Sequence, residues 1–173
     1  MIRELLISLA IATSPVTPND VTDSEVDPIL MEASLCLADN IYHEARGQGT
    51  AGWLAVANVT INRVKDSRYP NTVCEVVKQG PHRPSWKGTG EMIPIRHRCQ
   101  FSWYCDGRSD DIGNNTLYSL IYDLSYNIVY GNIDFIDITD GATHYHADYV
   151  MPDWARTKTK TVEIEDHIFY RWE

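Results

Sequence analysis

Residues 29–64 read ILMEASLCLADNIYHEARGQGTAGWLAVANVTINRV, and this stretch decides the fold class. Leu30, Ala33, Leu37 and Ile41 recur at the three-and-four spacing of a helix with one apolar face. That spacing predicts a helix from Ile29 to Arg46, stopped by Gly47 and Gly49. A second helix is predicted from Thr50 to Val64, with Thr50 as its cap. Trp53, Leu54, Val56, Ala57, Val59, Ile61 and Val64 leave it apolar on nearly every side, so it is expected at the centre of the molecule. Asn58 and Asn62 stand four apart on one face of it.

Outward from this pair the signals change. Arg68-Tyr69-Pro70-Asn71 reads as a turn and Thr72–Gln79 as a short helix. Residues 80–98 read as a long loop broken by Gly and Pro, and loops of that length are usually functional or mobile. Leu117, Leu120, Ile121, Leu124 and Ile128 mark a third long helix that Gly131 ends. Val162, Ile164, Ile168 and Tyr170 then alternate with polar residues about Glu165-Asp166, the pattern of a hairpin. The expected class is α+β, mostly helical, with a small antiparallel sheet toward the C-terminus.

The chain has 173 residues, enough for one domain with a real core. Its formal net charge is -9, and residues 1–34 hold six acids against Arg3 alone. No basic face is visible, which argues against a nucleic-acid partner. Residues 1–28 read as a separate N-terminal segment: Arg3 and the apolar run Leu5–Ala12 resemble an export signal, followed by an acidic, proline-bearing linker. A docking segment is the competing reading. The run is far too short to span a membrane. Residues 29–173 form the expected domain. Cys36, Cys74, Cys99 and Cys105 lack the clustered spacing of a zinc site, so disulfides are expected. Three pairings are open, and Cys36, set apart from the others, is the candidate free thiol.

Glu44 lies seven residues after Leu37 and three after Ile41. At about 100° per residue it falls within about 20° of Leu37, on the inward stripe. A carboxyl group there is costly to ionise, so its pKa should rise, which suits a general acid. The competing reading is an ion pair, or a position at the stripe's edge near the helix end. Arg46, two residues on, points elsewhere on the helix.

Five blocks in order then carry a resemblance. They are Ile41–Gln48, Ala55–Val64, Tyr69–Cys74, Cys99–Gly107 and Gly141–Ala147. Together they resemble the SleB-type cell-wall hydrolases, the spore-cortex lytic enzymes and their bacterial and phage relatives. The likeness runs from about residue 34 to 173. It implies a lysozyme-like fold, related to goose-type lysozyme and resuscitation-promoting factors. It also implies cleavage of the bond between N-acetylmuramic acid and N-acetylglucosamine, with Glu44 as the catalytic acid. Gln48 is a departure, because many relatives have glutamate there, and a neutral amide supplies no second carboxylate.

A single acid suffices when the substrate assists: the N-acetyl group or the 6-hydroxyl of muramic acid attacks the anomeric carbon, and the 6-hydroxyl route gives the 1,6-anhydro end of a lytic transglycosylase. Otherwise a muramidase needs a second carboxylate, for which Asp106, Asp148 and Asp153 are candidates by nearness to the matched blocks. Gln100, Ser102, Thr143, Tyr145 and His146 are expected to bind sugar or N-acetyl groups, and Trp103 and Trp154 to stack on sugar faces. No cofactor or metal is expected, the partner is the peptidoglycan glycan strand, and a monomer is the simplest state. The expected location is secreted, periplasmic or phage-delivered, as for an endolysin. Two other classes stay open: a zinc amidase built on His144 and His146 with His97, His82 or an aspartate, and a non-catalytic wall-binding or virion module.

Overall fold

The computed structural model describes residues 27–173, so the expected export signal falls outside the described residues. Helix α1 spans Pro28–Ala45, with Pro28 at its first turn and Asp27 capping it through the Ile29 N–H at 2.9 Å. Helix α2 spans Thr50–Lys65, and its N-cap is Gly49, so Thr50 is the first helical residue and not the cap. Thr72 caps the short α3, Val73–Val77, and Asn114 caps α4, Asn115–Val129. Strands β3 (His144–Ala147), β4 (Thr159–Ile164) and β5 (His167–Arg171) form one antiparallel sheet in the order β3-β5-β4. The hairpin expected about Glu165-Asp166 is the β4–β5 pair, with Glu165 in the left-handed region at φ 51°.

The centre of the helical layer is α1 and not α2. Helix α1 packs against α2, α3 and α4, and Leu37, Ala38 and Ile41 lose all exposure. Burying the Leu37 and Ile41 side chains contributes about 1.5–3 kcal/mol each. Helix α2 is apolar all round for a different reason, because it joins two cores. Val56 and Ala57 pack on the α1 side, while Ala55 and Val59 pack on Ala142 and Phe169 of the sheet layer. Its two asparagines tie down the segment before β3. Asn58 accepts from the Ile138 N–H, and Asn62 donates to Asp137 and to the Ala142 carbonyl.

All four cysteines are bonded. Cys36 pairs with Cys74, clamping α1 to α3, and Cys99 pairs with Cys105. Cys36 is therefore not free: a separation of 38 residues in sequence is closed by the direct packing of α1 on α3.

Two further expectations are corrected in residues 80–98. The segment is an ordered arm and not a simple loop, since β1 (His82–Pro84) pairs antiparallel with β2 (Met92–Pro94). The same stretch also concentrates cations. Residues 78–98 hold Lys78, Arg83, Lys87, Arg96 and Arg98 against Glu91 alone, so this acidic chain does carry a local basic face.

Candidate active site

Helix α1 ends where the sheet begins, and a cleft of about 530 Å³ opens between them. Glu44, the penultimate residue of α1, lies at its floor with Arg63 from α2 and Tyr145 from β3. The Tyr145 hydroxyl donates to Glu44 Oε2 at 2.8 Å. Burial pushes the Glu44 carboxyl above its ordinary value, while the Tyr145 hydrogen bond and the Arg63 charge hold it back. Burial and the adjacent Glu44 push the Tyr145 hydroxyl well up, so it keeps its proton and stays a donor.

Arg63 is the buried cation of the site. Its Nε donates to the Thr143 carbonyl at 2.8 Å, and its guanidinium lies over the rings of Tyr69 and Phe101. Its Nη1 is buried without a hydrogen-bond partner among the described residues. Arg46 lies over the Tyr42 ring and makes no ion pair with Glu44.

One wall is aromatic. Trp103 stacks on His43 with ring centres 4.5 Å apart and planes 18° from parallel. Its indole N–H donates at 3.0 Å to Asn40, a fully buried residue of α1 whose amide donates in turn to Thr60 of α2. The far wall includes His146, Ala147, His167 and Tyr149, the last 87% exposed at the rim. The remaining edge is the segment Gln100–Asp110, with Ser102 in the 3-10 turn Ser102–Cys105 and with Asp106 and Asp110.

Of the residues singled out from sequence, Glu44, Gln100, Ser102, Trp103, Tyr145 and His146 line this one cleft. Thr143 and Trp154 do not. Thr143 is buried with its hydroxyl on His144 Nδ1, and Trp154 packs behind the sheet against His144, His146 and Tyr170. Gln48 is also outside the lining and holds His167 Nδ1 at 3.2 Å through its amide nitrogen. Among the three candidate second carboxylates only Asp106 reaches the cleft, and its Oδ1 accepts from the Arg108 N–H. The two histidines of β3 make other contacts. His146 uses Nδ1 on the Ala147 carbonyl and Nε2 on the Tyr170 hydroxyl, and His144 sits among Tyr69, Trp154 and Trp172.

Sequence reading missed Asn40, His43, Arg63, Tyr149 and His167. Asn40 had a visible signal, a polar residue one helical turn before Glu44 on the same stripe. Arg63 had one too, as a cation closing an otherwise apolar helix. Tyr149 and His167 reach the cleft only through the tertiary fold.

The family model described as Cell Wall Hydrolase matches residues 47–170, beginning three residues beyond Glu44. Two solved structures are similar. The catalytic domain of the Bacillus cereus SleB protein is 26% identical, with TM-score 0.51 over 81% of this chain and 91% of that one. The catalytic domain of the germination-specific lytic transglycosylase SleB from Bacillus anthracis is 24% identical, with TM-score 0.55 over 90% of this chain and all of that one. No curated protein matches the chain. The matched model spans most of the chain, and the helices and C-terminal sheet follow the SleB catalytic domains: this chain belongs to the cell-wall hydrolase family and has their lysozyme-like fold.

Proposed function

We propose that residues 29–173 form a catalytic domain that cuts the peptidoglycan glycan strand between N-acetylmuramic acid and N-acetylglucosamine, with Glu44 as its general acid. The observation that carries this reading is the setting of Glu44. It is a carboxyl group in a polar cleft, its pKa raised by burial, with one oxygen held by Tyr145. With Oε2 occupied by the tyrosine, Oε1 carries the proton to the glycosidic oxygen. Arg63 then faces the carboxylate that proton transfer leaves behind and stabilises its charge.

The second step favours substrate assistance. Glu44, now a base, removes the proton from the 6-hydroxyl of muramic acid as that oxygen closes on the anomeric carbon, and a 1,6-anhydro end results. Two features weigh against a second catalytic carboxylate at position 48 or 106. The residue at 48 is an amide turned toward His167, and Asp106 spends an oxygen on the Arg108 backbone. The similarity to a lytic transglycosylase domain agrees. Trp103, Tyr149, Gln100 and Ser102 supply the stacking faces and hydrogen bonds of a sugar site.

The setting is that of a protein acting outside the cytoplasm. Two disulfides suit an oxidising compartment, and no helix among the described residues is long and apolar enough to cross a membrane. We take delivery to the wall, by secretion or by a phage, as part of the proposal.

The test is Glu44→Gln assayed on purified peptidoglycan, with released fragments weighed by mass spectrometry. The expected result is a loss of at least about a hundredfold in rate, with wild-type fragments one water lighter than reducing ends. Near-wild-type release by the variant overturns the assignment of Glu44. Reducing ends from the wild type overturn the anhydro route.

A further inference from the structure

The β1–β2 arm is an exposed hairpin that does no packing work for the core. Every residue of β1 is exposed, and a two-stranded hairpin is marginal in water by itself. The arm is nevertheless well built. The Ser85 N–H bonds the Glu91 carbonyl at 2.7 Å and the Ile95 N–H bonds the Pro81 carbonyl at 2.9 Å. Gly88 and Gly90 take φ 67° and 75° at its tip, a conformation that favours glycine.

Its largest apolar side chains and several of its cations stand in solvent. Trp86 at the tip is 81% exposed and Met92 is 55% exposed. Arg83, Lys87 and Arg98 are exposed and make no ion pair among the described residues. In a chain of net charge -9, residues 78–98 carry +4. Exposed tryptophan beside unpaired cations is the composition of a surface that meets an anionic, sugar-rich polymer.

The root of the arm identifies which polymer. Arg96 Nε donates to the Asp106 carbonyl at 2.8 Å, the His97 N–H donates to the Cys105 carbonyl at 2.9 Å, and the Cys99–Cys105 disulfide closes the same segment. That segment, Gln100–Asp110, is one edge of the cleft. The root of the arm is thus bonded directly to the cleft edge.

We propose that the arm is a second docking surface for the wall polymer, on which Arg83, Lys87 and Arg98 pair with carboxylates of the peptide stems and Trp86 packs on the strand. This rests on the peptidoglycan reading of the cleft. It gives an acidic enzyme a cationic grip on an anionic wall, spatially apart from Glu44.

The test compares the full chain with Arg83→Ser/Lys87→Ser and with Trp86→Ala. Binding is measured in the Glu44→Gln background, so that nothing is cut during the assay. The probes are purified sacculi with and without their teichoic acid, and glycan strands from which an amidase has removed the stems. Rates are measured separately, with Glu44 intact, on a short soluble glycan fragment.

The double variant is expected to bind sacculi on the order of tenfold more weakly at low salt, with a flatter salt dependence. It should lose nothing on stem-free strands or on the soluble fragment. Arg83→Lys/Lys87→Arg, which keeps both charges, should bind as the parent chain does, excluding a folding defect. Unchanged sacculus binding overturns the proposal. So does an equal loss on stem-free strands, or a loss seen only when teichoic acid is left on the wall, which would assign the arm to phosphate. If the Glu44→Gln chain still cuts the wall, the catalytic reading fails while the arm comparison, repeated at low temperature, still stands.

Discussion

Two opposing effects meet on the Glu44 carboxyl group. Burial disfavours its charged form, while the Tyr145 hydrogen bond and the Arg63 charge favour it. Removing the hydrogen bond must therefore raise the pKa further. A general acid works only while protonated, so activity declines as pH rises through that pKa. Tyr145→Phe is expected to move the alkaline limb of the pH–rate profile upward by about one unit, the order of a hydrogen bond to a charged group. The maximal rate should fall, because the oxygen that Tyr145 holds is released. A limb that stays still or moves down would mean that the profile reports another group. This part of the site was legible early: helix periodicity placed Glu44 on the inward face of α1. The sequence reads Tyr145 as a sugar ligand; in the fold it lines the cleft and its hydroxyl also bonds the Glu44 carboxyl group. No local pattern spans the 101 residues between them.

The helices were legible because their signals are local: apolar spacing and glycine or proline stops. The arm was not, because three-residue strands leave too few alternations to register, and its Gly and Pro residues read as a loop. The central role of α1 was hidden for a related reason. An all-apolar helix such as α2 looks central whether it is surrounded by helices or sandwiched between a helix and a sheet. Cysteine pairing also lies outside sequence reach, and here it has an energetic consequence. The Cys36–Cys74 bond ties α1, which carries Asn40, His43 and Glu44, to α3. Closing 38 residues removes unfolded-state entropy equivalent to about 4 kcal/mol. Cys36→Ser/Cys74→Ser is expected to lose about 2–4 kcal/mol in denaturant unfolding, whereas removing Cys99 and Cys105, which close a separation of only 6, should cost less and loosen the cleft edge instead. Equal losses for the two pairs would contradict the loop-length argument.

Across the whole molecule, acid and base pull on different groups. The sheet layer stores histidines in their neutral form. His144 is pushed down from 6.5 to about 4 by burial and by the nearby Arg63, Lys158 and Arg68 charges. His167 is lowered by burial, although Asp166 and Asp148 oppose the shift. A depressed histidine contributes stability above its unfolded value of 6.5 and loses it as pH falls toward the folded value. Glu44 has the opposite sign: its raised pKa favours the fold at low pH and costs stability as pH rises. On their own account the two histidines predict a loss of stability as pH falls from 6.5 toward 4, before most surface carboxylates titrate. His144 is about half buried, so after allowance for screening its share is about 1 kcal/mol, a few degrees in Tm. His144→Phe keeps an aromatic ring against Tyr69, Trp154 and Trp172 and removes the titrating group. Thermal unfolding followed from pH 7 to 4 should show a shallower decline for this variant. Glu44→Gln should raise Tm near pH 7, where the buried carboxyl is a burden, and should leave it nearly unchanged at pH 4. A decline of wild-type slope in His144→Phe would move the acid sensitivity to His167 or out of the sheet. A Glu44→Gln gain that persists at pH 4 would mean that the carboxyl is poorly packed in both of its protonation states.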